Sequence, residues 1–389
     1  MKNKLGLITL LCLIAGAIFG FFFPNQIIQI EFLGSFYVTL LKIMILPVIF
    51  TSVVTTVYES IANQGKLLLK TIGLFVVMFV VSFLLASVIV FLMNPAQGFE
   101  MKMIDSDVQP IQVTWNAFFL NLLPKDVMSV LTGKNLLFII LLSYLIGYLA
   151  HVFHWASFIH IIQSIKKVVF EVLRYVTYYA PIAVFVLMGV SVYKFGIETL
   201  LAGLKYILTA YCAGIVVLVV VMLLPVTIFK KIPFVTFVRK VYPIWLMTVS
   251  TCSSAATLPY TIKVCKEDLK LQEENVDMVI PLGCTINMCG GAVSFALLGL
   301  FCAKLYGVEI TFGYYVMMLV SSLLINMAAP GIPGGGIVVG ATYLQGLGIP
   351  FGFIGLYNGI YRILDMLYTT LNVMGDVSAV TLLDDKNQI

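Results

Sequence analysis

The sequence predicts an all-α integral membrane protein, and three observations support this fold class. Hydrophobic residues make up 61% of the 389 residues and charged residues only 11%, whereas soluble domains contain roughly 45–50% and 25%. Apolar segments long enough to cross a bilayer recur along the chain, and the later ones are interrupted by polar residues, glycine and proline. An apolar excess of this size cannot be buried in one globular core, so lipid must be the solvent for much of the surface.

Six apolar segments of spanning length occupy the first 230 residues. They lie near 5–23, 34–57, 67–93, 135–153, 168–190 and 199–229. Each has about 20 predominantly apolar residues, which is enough to cross the hydrocarbon core as a helix. The more polar stretch 95–134 is predicted to be an extramembrane loop. Because the first segment is longer than a usual signal-peptide core, an uncleaved helix is favoured over a cleaved signal peptide.

Lysine and arginine are distributed unevenly between the segment ends. Lys2 and Lys4 precede the first segment, whereas the loop 24–33 contains Glu31 and no lysine or arginine. Under the positive-inside rule, this asymmetry predicts a multi-pass protein of the cell membrane with a cytoplasmic N-terminus. No basic stripe with interleaved aromatic residues occurs, so nucleic acid is not an expected partner.

Beyond residue 230 the apolar segments become short or broken. A re-entrant hairpin is predicted for 231–270, with its tip at Thr251–Pro259, and a second for 311–348. Between them, the helix predicted at 275–304 is broken at Asn287–Gly291. One such break would often be only a kink, because glycine and proline are common in membrane helices. Three breaks close together instead point to a transporter's binding site near the membrane midplane.

The last segment, 350–383, concentrates polar residues on one helix face. These residues are Arg362, Asp365, Thr369, Asn372 and Asp376. From Asp365 onward their spacing of four, three and four residues places them on the same side of a helix. Each ionised group at mid-bilayer costs roughly 2.5–3.5 kcal/mol. Arg362 can offset the charge of Asp365, and a cation bound beside Asn287 would offset that of Asp376. A purely structural polar stripe is the alternative.

Five motifs, in this order, resemble the dicarboxylate/amino acid:cation symporters, the glutamate transporter family. They are Leu41–Phe50, the serine-rich tip Ser253–Pro259, the break Ile286–Gly290, the glycine-rich tip Gly331–Gly336 and the last-helix signature Asp365–Asp376. The resemblance extends over nearly the whole chain, which is identified as a divergent member.

The resemblance implies a glutamate-transporter-like elevator fold. Each protomer of a homotrimer would have eight transmembrane helices and two re-entrant hairpins. Within residues 1–230, helices one, two, four and five would form a scaffold, and helices three and six would move with the transport core at 231–389. The implied activity is secondary active symport of a small amino acid with a cation, sodium being favoured. No organic cofactor and no enzymatic activity are expected.

Two sets of ligands are expected from this resemblance and from the charges of the last helix. The substrate set is Ser253, Ser254, Gly331, Ile332, Pro333, Gly334, Arg362, Asp365, Tyr368, Thr369 and Asn372. The sodium set is Gly283, Thr285, Asn287, Asn372 and Asp376. By the same resemblance, Asp365 would hold an ammonium group, and Thr369 and Asn372 the main carboxylate of the solute.

Departures from the family pattern indicate the type of solute. Tyr368 stands where acidic-substrate members have an arginine for the side-chain carboxylate. Cys289 replaces an aspartate of a second sodium site, and Ala329 replaces a threonine usual near a third. These changes favour a neutral or weakly polar amino acid and fewer coupled cations. An acidic amino acid or dicarboxylate, coupled to sodium or protons and bound through Arg362, is the alternative.

Other classes of function remain as alternatives or are disfavoured. An anion-conducting channel is an alternative because wet interfaces between domains could conduct anions, and a transporter-derived sensor is another because cation ligands are lost. An enzyme is disfavoured because His151, His154 and His160 form no metalloprotease motif, and no nucleophile motif occurs. The glycine-rich tip lacks the lysine of a phosphate-binding loop, which disfavours transport driven by ATP.

Overall fold

The fold is helical throughout its described parts, as predicted. The structure, a computed structural model, describes residues 2–62, 66–97, 136–195, 198–326, 335–350 and 353–384. Within these ranges almost every residue is helical and no strand occurs. The predicted extramembrane loop at 95–134 lies almost entirely outside them.

Helices of the first 230 residues cover the six predicted segments. Their bounds are Lys2–Phe22 for α1, Pro24–Gln29 for α2, Glu31–Ala62 for α3, Lys66–Met93 for α4, Leu136–Val152 for α5 and Ala156–Phe195 for α6. A continuous helix follows, made of α7 at Glu198–Val217, a π-helical turn at Leu218–Leu223 and α8 at Leu224–Lys230. Helix α6 begins at Ala156, well before the apolar segment predicted to start at 168. The apolar pattern misses its first turns because they contain polar residues such as Gln163 and Lys166.

The remaining helices cover the predicted hairpins, broken helix and last helix. Their bounds are Phe234–Thr251 for α9, Ser254–Lys263 for α10 with a π-helical end at Val264–Asp268, Glu273–Ile286 for α11, Cys289–Leu305 for α12, Phe312–Asn326 for α13, Gly335–Gly346 for α14 and Ile354–Leu383 for α15. That α9–α10 and α13–α14 each enter and leave the membrane on one side stays a prediction.

The turn between α9 and α10 is shorter than the tip predicted there. Helix α9 ends at Thr251, Cys252 adopts a left-handed conformation (φ 49°, ψ 39°), and α10 begins at Ser254. Ser253 caps α10, because its hydroxyl accepts a hydrogen bond from the backbone N–H of Ala256 at 3.2 Å. A serine in this position stabilises the start of a helix, because its hydroxyl pairs a backbone N–H of the first turn. The predicted tip at Thr251–Pro259 was therefore wrong in extent, since most of that stretch is helical.

Helix packing places α15 inside the protein. Helix α6 packs along α1 and α3, and α3 packs along α5. Helix α15 contacts α7, α9, α11 and α12, and α12 also packs along α4. Nearly every residue of α12 is buried. The polar face of α15 therefore meets other helices, where its side chains can find partners.

Four helical stretches of the described residues are long and apolar enough to cross a membrane. They are Leu67–Met93, Gly203–Lys230, Glu273–Leu305 and Ile360–Leu383. The last two are largely buried inside the protein. On the first two stretches, large apolar side chains are exposed, such as Leu92 at 76% and Phe229 at 74%, which suits a surface in contact with lipid. The predicted count of eight spanning helices goes beyond these four stretches and stays a prediction.

Candidate functional site

A break separates α11 from α12, the two helices that cover the segment predicted at 275–304. Helix α11 ends at Ile286 and α12 begins at Cys289. Between them, Asn287 (φ −87°, ψ 107°) and Met288 (φ −129°, ψ 68°) leave the helical conformation. Non-helical backbone at membrane depth is tolerated only where protein or a wet cavity surrounds it. Asn287 and Met288 are both buried, so the break meets that condition.

Three of the predicted sodium ligands lie together at this break. Asn287 Nδ2 donates a hydrogen bond to Asp376 Oδ1 at 2.9 Å, and both side chains are buried, at 3% and 2% exposure. Gly283 packs directly against the carboxylate, since a side-chain carbon there would lie 2.5 Å from Asp376 Cγ. Carboxylate and amide oxygens are ligands that hard cations prefer, so the donor set fits sodium.

The thiol of Cys289 completes this cluster as a neutral group. Its Sγ–H donates to Asn287 Oδ1 at 3.2 Å, and it lies next to Ser82 of α4. Asn287 therefore bridges Cys289 and Asp376, with one hydrogen bond on each side of its amide. A cation that binds both oxygens has to replace these hydrogen bonds.

The two other predicted sodium ligands are placed differently. The hydroxyl of Thr285 donates to the carbonyl of Leu282 within its own helix, at 2.8 Å. Asn372 Oδ1 accepts a hydrogen bond from the backbone N–H of Gly290 at 2.8 Å, and the residue lines the cavity described next. Among the described contacts, neither residue is joined to Asp376.

A cavity lies between the turn that joins α9 to α10, α12, the helices α13 and α14, and α15. About 40 Å³ of its volume is open to the centre of a water molecule, which is room for a few waters at roughly 10–15 Å³ each. Predicted substrate ligands in its wall are Ser254, Asp365, Tyr368, Thr369 and Asn372. Wall residues that the sequence analysis did not include are Cys252, Ser294, Asn326, Gly336 and Tyr361, among others.

Asp365 is the acidic group of this cavity. Its side chain is only 6% exposed. The hydroxyls of Tyr361 and Thr369 each donate to its Oδ1, at 3.4 Å in both cases. Asp365 is therefore a buried carboxylate that accepts hydrogen bonds from two hydroxyls of its own helix.

The other predicted substrate ligands lie outside the cavity wall or outside the described residues. The hydroxyl of Ser253 caps α10 by accepting a hydrogen bond from a backbone N–H. Arg362 is not among the described residues of the wall, although it and Asp365 are both close to Cys252. Its Nε is buried and has no hydrogen-bond partner in the described part of the chain. The tip residues Gly331, Ile332, Pro333 and Gly334, and nearby Ala329, lie outside the described residues.

Helices α12 and α15 cross in close contact at Gly290. A side-chain carbon at this position would lie 2.6 Å from the carbonyl carbon of Tyr368. We expect Gly290→Ala to lower the free energy of unfolding by about 1–3 kcal/mol, as overpacking does, and to lower the thermal midpoint in detergent. The matched control is Gly73→Ala in α4, where a new side-chain carbon has no neighbour within 4 Å. Equal midpoints for the two variants would contradict the close crossing.

Comparison with known proteins places the chain in a family. The profile of the Sodium:dicarboxylate symporter family matches residues 5–386. The Proton/sodium-glutamate symport protein of Geobacillus stearothermophilus is 28% identical over 387 residues, which cover 95% of this chain and 91% of the relative. The C4-dicarboxylate transport protein of Edwardsiella ictaluri is 28% identical, over 96% of this chain and 90% of the relative. The Proton/glutamate-aspartate symporter of Bacillus subtilis is 25% identical, over 97% and 94%. The chain therefore belongs to the Sodium:dicarboxylate symporter family, and with its long apolar helices it is a multi-pass membrane transporter.

Proposed function

We propose that this protein is a secondary active symporter that carries an acidic amino acid or a C4-dicarboxylate together with sodium or protons. The observation that carries the proposal is the pair of buried carboxylates on one face of α15. Asp365 lines the cavity, and Asp376 lies at the helix break beside Asn287. A buried ionisable group in a membrane segment is costly, and such groups mark solute and ion pathways.

The names of the relatives favour an acidic solute. They contain glutamate, aspartate and C4-dicarboxylates. These names fit an acidic amino acid or a dicarboxylate better than the neutral amino acid that the sequence favours. A neutral amino acid remains the second candidate because of one observation, which is that uncharged Tyr368 lines the cavity.

In this proposal, the two carboxylates have different partners. Asp365 binds the ammonium group of an amino acid. Asn372 and Thr369, with the first turn of α10 at Ser254, bind the main carboxylate, since helix N-termini attract anions. Asp376, Asn287 and the backbone near Gly283 bind the coupled cation. The neutral thiol of Cys289 beside Asn287 supports fewer bound cations than a carboxylate there would.

The elevator mechanism, the homotrimer and the cytoplasmic N-terminus are part of the same proposal. The packing of α6 against α1 and α3, and of α3 against α5, supports a scaffold made of these helices. The packing of α4 and α7 against α12 and α15 supports a transport core that includes them.

Uptake into liposomes tests the proposed function. The purified protein would be reconstituted and supplied with radiolabelled glutamate, aspartate, succinate or serine under an inward sodium gradient, an inward proton gradient or no gradient. We expect glutamate, aspartate or succinate to accumulate only when a cation gradient is present. Accumulation of serine alone would favour the second candidate. Anion conductance without accumulation of any solute would instead indicate a channel.

A further inference from the structure

Asp384 lies directly after the last residue of α15 and is buried, at 1% exposure. Its Oδ2 accepts a hydrogen bond from the backbone N–H of Gln272 at 2.6 Å and a longer one from Nδ2 of Asn275 at 3.5 Å. These donors lie 112 and 109 positions earlier in the chain. The carboxylate of Asp384 therefore joins the end of α15 to a distant segment, although neither predicted ligand set includes it.

Both donors belong to the start of α11. This helix begins at Glu273, and the side chain of the preceding residue, Gln272, makes no capping hydrogen bond. The first four backbone N–H groups of a helix have no partner inside it. An aspartate oxygen is among the best acceptors for these groups, and its negative charge is favourable at a helix N-terminus. Asp384 therefore caps α11 from the end of another helix.

The end of α15 is itself attached to a third helix. Nζ of Lys230, the last residue of α8, donates a hydrogen bond to the backbone carbonyl of Asp384. Six residues earlier on α15, the hydroxyl of Ser378 donates to the carbonyl of Met222 at 2.8 Å, in the π-helical turn that precedes α8. These two hydrogen bonds fix the position from which Asp384 caps α11.

The other end of α11 reaches the proposed cation site. Gly283, in its last turn, packs against the carboxylate of Asp376, and Asn287, directly after the helix, donates to that carboxylate at 2.9 Å. Asp376 and Asp384 are eight residues apart, which is about 12 Å along α15. Helices α11 and α15 are therefore joined at two points, the cap and the cation site. Rigid helices transmit position along their length, so the cap affects how α11 meets Asp376.

We propose that Asp384 is a positioning residue for the coupled cation, because it holds α11 where Gly283 and Asn287 meet Asp376. This inference rests on the proposed function. Asp384 does not touch the cation. Without the cap, α11 occupies this position for only part of the time, and the apparent affinity for the cation falls by the same fraction. A bound cation restores the position, so transport at saturating cation concentration is preserved.

The cation dependence of uptake by reconstituted Asp384→Ala tests this proposal. Uptake is measured over a range of sodium concentrations, or of proton concentrations if protons drive the unmodified protein. Loss of a helix cap changes a local equilibrium about fivefold, so we expect the half-saturating cation concentration to rise about fivefold. The maximal rate is expected to stay within about twofold. A residue that serves stability alone would lower the thermal midpoint and leave the half-saturating concentration unchanged.

A conservative variant and a matched control tie this result to the cap. Asp384→Asn keeps an oxygen that can accept from Gln272, and asparagine caps helices about as well as aspartate, so we expect half-saturation within about twofold of the unmodified protein. The control is Asp277→Ala, which removes a carboxylate of the same helix that is 56% exposed and pairs with Lys266 at 2.8 Å. Its half-saturating concentration is expected to be unchanged.

A lysine pair tests the same attachment if Asp384→Ala does not fold. Lys230→Met removes the hydrogen bond that fixes Asp384, and we expect the half-saturating cation concentration to rise about threefold. The matched control is Lys240→Met. Nζ of Lys240 also donates to a backbone carbonyl, that of Asp268 at 2.9 Å, but this hydrogen bond joins α9 to the end of α10. No change is expected in this control.

The possible failures are distinguishable. Unchanged half-saturation in Asp384→Ala, or in Lys230→Met where the first variant does not fold, would overturn this inference and leave the proposed function intact. A lower maximal rate with unchanged half-saturation would also overturn it, since Asp384 would then act on a step after cation binding. If the folded, unmodified protein accumulates no solute under either cation gradient, the proposed function fails and this inference fails with it.

Discussion

Replacing Asp376 with asparagine is expected to abolish cation-driven accumulation while the protein stays folded. The variant keeps the shape of the side chain but removes the negative charge that a bound cation requires. A charge at mid-bilayer costs roughly 2.5–3.5 kcal/mol, so removing it from a residue that is 2% exposed does not lower stability. The expected thermal midpoint is unchanged or higher, whereas the stimulation of uptake by a sodium or proton gradient is lost.

Uptake into liposomes and thermal unfolding in detergent together check this prediction. The matched control is Asp277→Asn, which removes a carboxylate whose side chain is 56% exposed and which forms an ion pair with Lys266 at 2.8 Å. An exposed ion pair contributes about 0–1 kcal/mol, so uptake by this control is expected to be normal. Accumulation that still depends on the cation gradient in Asp376→Asn would show that the coupled cation binds elsewhere.

Replacing Asp365 with asparagine is expected to separate amino acids from dicarboxylates. An ammonium bound to this carboxylate would lose a buried, charged partner, which costs about 2–5 kcal/mol. We therefore expect kcat/KM for an amino acid to fall at least about 30-fold. Succinate has no ammonium group, so its uptake is expected to change by less than about tenfold.

The measurement is uptake of glutamate and succinate by the same reconstituted Asp365→Asn protein. Tyr361 and Thr369 donate to the carboxylate only over 3.4 Å, and asparagine keeps an oxygen that can accept from them. The variant is therefore expected to fold normally, which its thermal midpoint would show. Unchanged uptake of glutamate would mean that its ammonium group does not bind Asp365.

Local patterns in the sequence were sufficient to predict the elements of the site. The break at Asn287 was visible because polar residues and glycines interrupt an apolar run. The shared face of Asp365 and Asp376 followed from the helical repeat, which depends only on residues close in sequence. The capping preference of Ser253 is equally local, although the predicted tip is too long because Pro259 lies inside α10.

Contacts between distant segments were decided by the tertiary structure. The hydrogen bond from Asn287 to Asp376 joins residues that are 89 positions apart, and only the crossing of α11 and α15 determines its geometry. The sequence does not predict that Asn326 lines the cavity, because a single asparagine at the end of an apolar helix can have many structural roles. Its place in the wall depends on helix packing. By itself, the sequence determined the class of protein, the broken helix and the polar face of α15. Which polar atoms share a cavity, and which are paired elsewhere, was decided by helix packing, because hydrogen bonds form only over about 3 Å and helical periodicity carries no information about distances between helices.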